Sequence, residues 1–130
     1  MAYYVDTSAF LKLVVAEGHS DALRAWVKRT DDDLIASDLL RTEALRAARH
    51  HSPAALAQTR VLLEGLTLVT VSTEICERAA DLDPSILRSL DALHLATALM
   101  LGDQLHGVVT YDDRLAAACA AHGVAVIAPR

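Results

Sequence analysis

Five short apolar segments, separated by segments with helical patterning, constrain the fold of this 130-residue sequence more than any other feature. Most of them contain no polar interruption, which is typical of strands covered on both faces. Strands that alternate with helices predict an α/β fold with a parallel sheet between layers of helices. The five predicted strands are residues 2–5, 34–37, 66–72, 107–112 and 124–129.

Residues that begin and end helices lie between these strands. Thr7 and Ser8 are the predicted caps of the first helix, Asp38 caps a later one, and Ser89 caps the helix near residue 90. Ser52, followed by a proline and closed by a glycine, gives the clearest helix signature. The predicted helical segments are 6–18, 20–29, 38–51, 52–65, 73–83, 89–102 and 113–123.

The composition predicts one compact domain over residues 1–130. Hydrophobic residues make up 53% of the chain, which is ample for a single core. No apolar run approaches the roughly 18 residues of a membrane span, so we expect a soluble cytoplasmic protein with no membrane contact. Cys76 and Cys119 have no metal-binding spacing and are predicted to be buried thiols in a reducing compartment.

The charge of the chain limits how it can contact nucleic acid. With 17 acidic and 12 basic residues, the net charge is −5, so the molecule as a whole does not attract a polyanion. Any phosphate contact must therefore be local. The candidate basic residues for such contacts are Lys12, Arg41, Arg46, Arg49 and Arg114.

Four acidic residues are predicted to converge at one edge of the sheet. Asp6 and Asp112 lie at the carboxyl ends of the first and fourth predicted strands, where ligands bind in parallel sheets. Asp91 opens the otherwise apolar helix "SLDALHLATALM", and Glu43 lies on the apolar stripe of another helix. A buried carboxylate without a partner is costly, so each of these two needs a cation or hydrogen-bond donors.

Such a cluster predicts a divalent metal site. Two carboxylates about 4 Å apart repel by roughly 4 kcal/mol at an effective dielectric of about 20, and a cation relieves that repulsion. Oxygen ligands favour Mg²⁺ or Mn²⁺ over zinc, and phosphodiester hydrolysis is the chemistry suited to this site. Asp6, Asp91 and Asp112 are the predicted metal ligands. Glu43 is predicted to bind the metal through water or to act as base on the attacking water.

Each of these residues also has a purely structural interpretation. Asp6 suits a turn or a cap, Asp91 suits a helix cap, and Asp112 suits the start of a helix. His94 lies one helical turn after Asp91 and could hydrogen-bond to it, but a lone histidine in a packed helix is typically a core residue. We therefore do not assign His94 a catalytic role.

Four segments carry a family resemblance: "YYVDTSAFLKL", "SDLLRTEALRAAR", "LDALHLATAL" and "VVTYDDRLAAACAAHGV". Together, and in this order, they resemble the PIN-domain family, and within it the VapC-type toxins of bacterial toxin–antitoxin pairs. The resemblance implies a three-layer α/β/α sandwich with a central, mostly parallel five-stranded sheet. It also implies a Mg²⁺- or Mn²⁺-dependent endoribonuclease, inhibition by a cognate antitoxin, and self-association as a homodimer.

The resemblance assigns roles to residues of this sequence. The acids of the family correspond to Asp6, Glu43, Asp91 and Asp112, and the polar supporting positions correspond to Ser8 and Thr110. No acid of the pattern is missing, so we expect an active enzyme. The resemblance does not identify the RNA target.

Two alternative functions remain open on the sequence alone. A phosphoacceptor receiver-like domain is also a parallel α/β fold with an acidic Mg²⁺ pocket, but it requires paired acids after the first strand, where Asp6 stands alone. It also requires an acceptor aspartate after a central strand, whereas "LTLVTVST" ends without one. The second alternative is a non-catalytic binding module whose acids receive a basic segment of a partner.

Overall fold

Five strands and seven α-helices alternate along the chain in the computed structural model, which describes all 130 residues. The strands are β1 (Ala2–Val5), β2 (Asp33–Ser37), β3 (Thr67–Val69), β4 (Leu105–Val109) and β5 (Val126–Ile127). The helices are α1 (Thr7–Val14), α2 (Ser20–Arg29), α3 (Asp38–His51), α4 (Pro53–Glu64), α5 (Thr73–Ala80), α6 (Ser89–Leu99) and α7 (Asp113–Ala121). A short 3₁₀ helix, Gly102–Gln104, precedes β4. None of the helices combines the length and hydrophobicity that crossing a membrane requires.

The five strands form one sheet in the order β3-β2-β1-β4-β5, and all four pairings are parallel. The predicted α/β fold with a five-stranded sheet is confirmed. Strands β2 and β3 lie on one side of β1, and the later strands β4 and β5 lie on its other side. In parallel sheets this reversal opens a crevice between the two strands at their carboxyl ends, here those of β1 and β4.

The strand order excludes the receiver-like alternative. In a receiver-type sheet the first strand lies between the second and the third. Here β1 lies between β2 and β4, and β3 is at the edge.

Helices cover both faces of the sheet, which confirms the predicted three-layer sandwich. Successive residues of a strand point to opposite faces, so Val5 packs on one side and Tyr4 on the other. The first side is covered by α1 to α4, whose buried residues include Phe10, Leu23, Leu40 and Leu63. The second side is covered by α5 to α7, whose buried residues include Ile75, Leu95, Ala96 and Leu115.

The two edge strands are shorter than the sequence predicts. The apolar segments 66–72 and 124–129 form strands only at Thr67–Val69 and Val126–Ile127. Each edge strand has a neighbour on one side only, so fewer of its residues are held by ladder hydrogen bonds. The predicted strand 107–112 is shifted to Leu105–Val109, and the chain then turns into α7.

Several helix caps also differ from the prediction. The cap of α1 is Asp6, whose carboxylate accepts a hydrogen bond from the backbone N–H of Ala9 at 2.9 Å, so the assignment of Thr7 and Ser8 as caps is wrong. The side chain of Asp112 caps α7 in the same way.

Two further predicted caps lie one residue too late. Asp38 and Ser89 are the first residues of their helices, preceded at the cap positions by Ser37 and Arg88. The Ser52 cap of α4 is confirmed, since its hydroxyl accepts from the backbone N–H of Ala55 at 3.0 Å.

The two cysteines lie in different environments. Cys119 is buried in the core between α6, α7 and the sheet, as predicted. Cys76 is exposed, which contradicts the prediction. The reason is the orientation of α5, which buries Ile75 and Ala79 against α6 and leaves Cys76 facing solvent.

Candidate active site

Asp6 lies at the carboxyl end of β1 and is only 4% exposed. Its carboxylate accepts hydrogen bonds from the Thr110 hydroxyl at 2.6 Å, the Ser8 hydroxyl at 2.8 Å and the backbone N–H of Ala9 at 2.9 Å. Burial raises the pKa of Asp6, and these three hydrogen bonds oppose that effect. Asp6 is therefore a desolvated carboxylate that a nearby cation would stabilise in its ionised form.

The hydroxyls of Thr110 and Ser8 connect Asp6 to the segment after β4. Thr110 donates to Asp6 and accepts from the backbone N–H of Asp112 at 3.0 Å. Ser8 accepts from the backbone N–H of Tyr111 at 3.0 Å. The two residues predicted to support the site therefore lie in contact with it, and they fix Asp6 relative to Asp112.

Glu43 projects from α3 toward α6 and is about half-buried. Its Oε1 accepts hydrogen bonds from the Thr7 hydroxyl at 2.7 Å and from His94 Nε2 at 2.8 Å. Burial has the largest single effect on the pKa of Glu43 and raises it. The hydrogen bonds from His94 and Thr7, together with the charge of His94, outweigh that effect and lower the pKa below its usual value. Glu43 is therefore held as a carboxylate.

His94 is buried and hydrogen-bonded through both ring nitrogens. Nε2 contacts Glu43, and Nδ1 lies 2.8 Å from the hydroxyl of Tyr4. An ionised Glu43 can only accept, so Nε2 of His94 carries a proton and donates it to this hydrogen bond. The core position predicted for His94 is confirmed, but its carboxylate partner is Glu43 rather than Asp91.

Asp91 and Asp112 share one cation, the guanidinium of Arg88. Nε of Arg88 donates to Asp91 Oδ2 at 3.1 Å, and one terminal nitrogen donates to Asp112 Oδ2 at 3.4 Å. Asp91 is buried in the first turn of α6, where it does not cap the helix, and Arg88 is the cap residue.

Arg88 was not among the basic residues that the sequence pointed to, nor were Thr7 and His94 assigned to the site. A signal for Arg88 exists in the spacing, since an arginine three residues before a helical aspartate is placed for an ion pair. No comparable local signal indicates that Thr7 and His94 meet at Glu43.

The contacts bring all four predicted acids to the carboxyl edge of the sheet. Thr110 joins Asp6 to Asp112, Arg88 joins Asp112 to Asp91, and Asp91 lines a cavity of about 300 Å³ together with Glu43. The four acids come from the loops and helices that follow β1, β2 and β4 and from α6, around the crevice between β1 and β4.

This edge of the sheet fits a divalent cation by its chemistry. The available donors are carboxylate and hydroxyl oxygens, which Mg²⁺ and Mn²⁺ prefer. Asp91 and Asp112 already share a positive group. In the observed arrangement, however, no three His, Cys, Asp or Glu side chains lie close enough to ligate one ion together.

Comparisons with known proteins agree with the fold. A family profile described as the PIN domain matches residues 3–121. Ribonuclease VapC46 of Mycobacterium tuberculosis is 44% identical over 128 residues, which cover 98% of each chain.

Solved structures of the same architecture include a toxin and a toxin–antitoxin complex. Mycobacterium tuberculosis VapC20, described as a sarcin-ricin loop cleaving toxin, superposes with a TM-score of 0.77 at 17% identity, covering 98% of this chain and 99% of that one. A toxin–antitoxin complex from Klebsiella pneumoniae gives a TM-score of 0.76 at 20% identity, with 98% of each chain covered.

Proposed function

Because the chain belongs to the PIN domain family, we propose that it is a Mg²⁺- or Mn²⁺-dependent endoribonuclease of the VapC type, with residues 1–130 acting as one domain. The observation that carries this proposal is the presence of four carboxylates around the crevice between β1 and β4, in a chain 44% identical to a ribonuclease. The substrate class, RNA, comes from that relative. We also propose that the protein acts in the cytoplasm.

Asp6, Asp91 and Asp112 are the residues that would hold the metal. A bound divalent ion in such a site activates water and stabilises charge that develops on the phosphate. Ser8 and Thr110 would support the site by orienting Asp6, to which both donate hydrogen bonds. The desolvation of Asp6 favours a cation beside it, because a neighbouring positive charge lowers the cost of keeping that carboxylate ionised.

Glu43 would bind the metal through water or accept a proton from the attacking water. A base must be unprotonated at working pH, and the lowered pKa of Glu43 meets that requirement. The hydrogen bonds from Thr7 and His94 both go to Oε1, which leaves Oε2 for a water molecule. Thr7 and His94 are therefore positioning residues, and His94 is itself fixed by Tyr4.

An antitoxin and a second copy of the chain are the proposed protein partners. The Klebsiella pneumoniae relative by fold is a toxin–antitoxin complex, which supports an antitoxin for this chain. A basic antitoxin segment could satisfy the acids in the way that Arg88 does within the chain. For the homodimer we propose apolar surface of α1 around the segment "AFLKLVV" or the face of α4, where Val61 is 62% exposed.

The test is cleavage of total cellular RNA by the purified protein in Mn²⁺ or Mg²⁺, with and without EDTA. We expect metal-dependent products from the wild-type protein and a loss of rate of at least about 100-fold in Asp91→Asn. Asp113→Asn is the matched control, because Asp113 is an exposed carboxylate next to Asp112 that makes no contact with the other acids. This control should cleave at close to the wild-type rate.

Two outcomes would contradict the proposal. Equal cleavage by the wild-type protein and Asp91→Asn would show that the assigned acids do not carry the reaction. Metal binding by the wild-type protein without cleavage of any RNA would favour the non-catalytic binding module, whose acids serve only to receive a basic partner.

A further inference from the structure

Arg88 supplies positive charge at the position where the proposed function requires a metal ion. Its guanidinium contacts Asp91 at 3.1 Å and Asp112 at 3.4 Å, so a single side chain forms ion pairs with two of the three proposed metal ligands. The two carboxylates use Oδ2 for this contact, and Oδ1 of Asp112 already accepts a hydrogen bond from the backbone N–H of Leu115, so a metal ion between the two carboxylates would compete with the guanidinium. Arg88 and the ion are therefore alternatives at one place.

The contact of Arg88 is one that can be released. The Arg88 side chain is 56% exposed, whereas that of Asp91 is 13% exposed. Ion pairs with an exposed partner contribute little to stability, so losing this one on metal binding should change the free energy of unfolding only slightly. Arg88 lines the 300 Å³ cavity beside Glu43 and Asp91, and it also lines a cavity of about 710 Å³ that it shares with Ile86 and Arg114.

We propose that Arg88 is a built-in competitor of the divalent ion for Asp91 and Asp112, a role that rests on the metal-dependent function proposed above. Without metal, the guanidinium bridges the two carboxylates and relieves their repulsion. When the ion binds, Arg88 leaves them and turns into the larger cavity. The apparent affinity for metal is therefore the intrinsic affinity of the acids multiplied by the fraction of metal-free molecules in which Arg88 has moved away.

The first experiment is a titration of the full chain with Mn²⁺ alone, followed by calorimetry or by the electron paramagnetic resonance signal of free Mn²⁺. Arg88→Gln removes the competing charge and should bind Mn²⁺ about tenfold more tightly than the wild-type protein. Arg88→Lys keeps a charge but not the forked geometry that spans two carboxylates, so its affinity should lie between the two.

Arg114→Gln is the matched control for this titration. Arg114 lines the same large cavity as Arg88 but forms no ion pair with the acids. This variant tests whether the loss of any nearby positive charge is enough to tighten Mn²⁺ binding. At physiological salt we expect its affinity for Mn²⁺ to change by less than about twofold.

The outcomes separate this inference from the proposed function. Mn²⁺ binding to Arg88→Gln that is no tighter than to the wild-type protein would overturn the competition and leave the nuclease proposal intact. Equal gains in Arg88→Gln and Arg114→Gln would also overturn it, since the effect would then be general electrostatics. Absence of Mn²⁺ binding in both the wild-type protein and Arg88→Gln would overturn the inference and the metal-dependent function together.

A second measurement needs no variant. In the wild-type protein, the NMR signal of the Arg88 Nε–H group reports its hydrogen bond to Asp91 directly. During titration with Mg²⁺, we expect this signal to move to the position of a solvent-exposed arginine, with the same midpoint as metal binding. A signal that keeps its position at saturating Mg²⁺ would show that Arg88 and the ion do not compete.

Discussion

At the scale of single residues, the pKa values of two carboxylates in the site are shifted in opposite directions. Asp6 is almost fully buried, and the loss of solvent raises its pKa in spite of three hydrogen bonds. Glu43 is half-buried, and the donors His94 and Thr7 lower its pKa. A raised pKa marks a carboxylate that gains from a bound cation, and a lowered one marks a carboxylate that stays ionised without it. The proposed division into a metal ligand and a base follows this difference.

The two cysteine thiols differ in their exposure to solvent, and this difference predicts how fast each one reacts. Burial, with a smaller contribution from the charge of Asp6, raises the pKa of Cys119 to about 12, so almost none of it is thiolate at pH 8. Cys76 is exposed. With a disulfide reagent at pH 8, we expect one thiol per chain to react rapidly and the second only when the protein is unfolded in denaturant.

Cys76→Ser provides the control for this prediction. It should have no rapidly reacting thiol in the native state and one reactive thiol when unfolded. Rapid reaction of two thiols in the native wild-type protein would mean that α7 packs too loosely on the sheet to bury Cys119.

At the scale of elements, β4 depends on a residue without a side chain. A Cβ atom added to Gly107 would lie 2.9 Å from the backbone oxygen of Ala125, and backbone cannot move aside cheaply. The backbone N–H of Val108 donates to that same oxygen at 2.9 Å. We expect Gly107→Ala to lower the free energy of unfolding by about 1–3 kcal/mol, the usual cost of overpacking, as measured by urea denaturation.

Gly18→Ala is the matched substitution. Nothing lies within 4 Å of a Cβ atom at Gly18, so its free energy of unfolding should stay within about 0.5 kcal/mol of wild type. Equal destabilisation by the two substitutions would show that the loss of glycine itself, and not the close approach of the segment before β5, sets the cost.

Elements and site were predictable from the sequence to different degrees. The bounds of β1 and α2 follow from local apolar runs and helical spacing, and both agree with the structure. The ends of β3 and β5 depend on neighbouring strands, which no local pattern encodes. The acids were predictable because strand ends converge in a parallel sheet. The contact of His94 with Glu43 was not, because it joins residues 51 positions apart on helices that cover opposite faces of the sheet.

At the scale of the whole molecule, charge and folding are connected through the site. The net charge is −5, and four of the acids lie at one edge of the sheet, where folding brings them together from separate parts of the chain. The unfolded chain keeps those acids far apart, so it does not offer the same site. A divalent ion should therefore bind the folded state in preference and stabilise it.

This coupling predicts a metal-dependent melting temperature. At a Mn²⁺ concentration about 100 times the dissociation constant, binding adds about 2.7 kcal/mol to the free energy of unfolding, which for a chain of this size raises Tm by on the order of 10 °C. Differential scanning fluorimetry at constant ionic strength measures the shift. Asp91→Asn removes one ligand and should lose most of it, whereas Asp113→Asn, which changes the net charge equally, should keep it. An equal rise in all three proteins would mean that Mn²⁺ acts by screening the acidic surface, because only a specific site distinguishes Asp91 from Asp113.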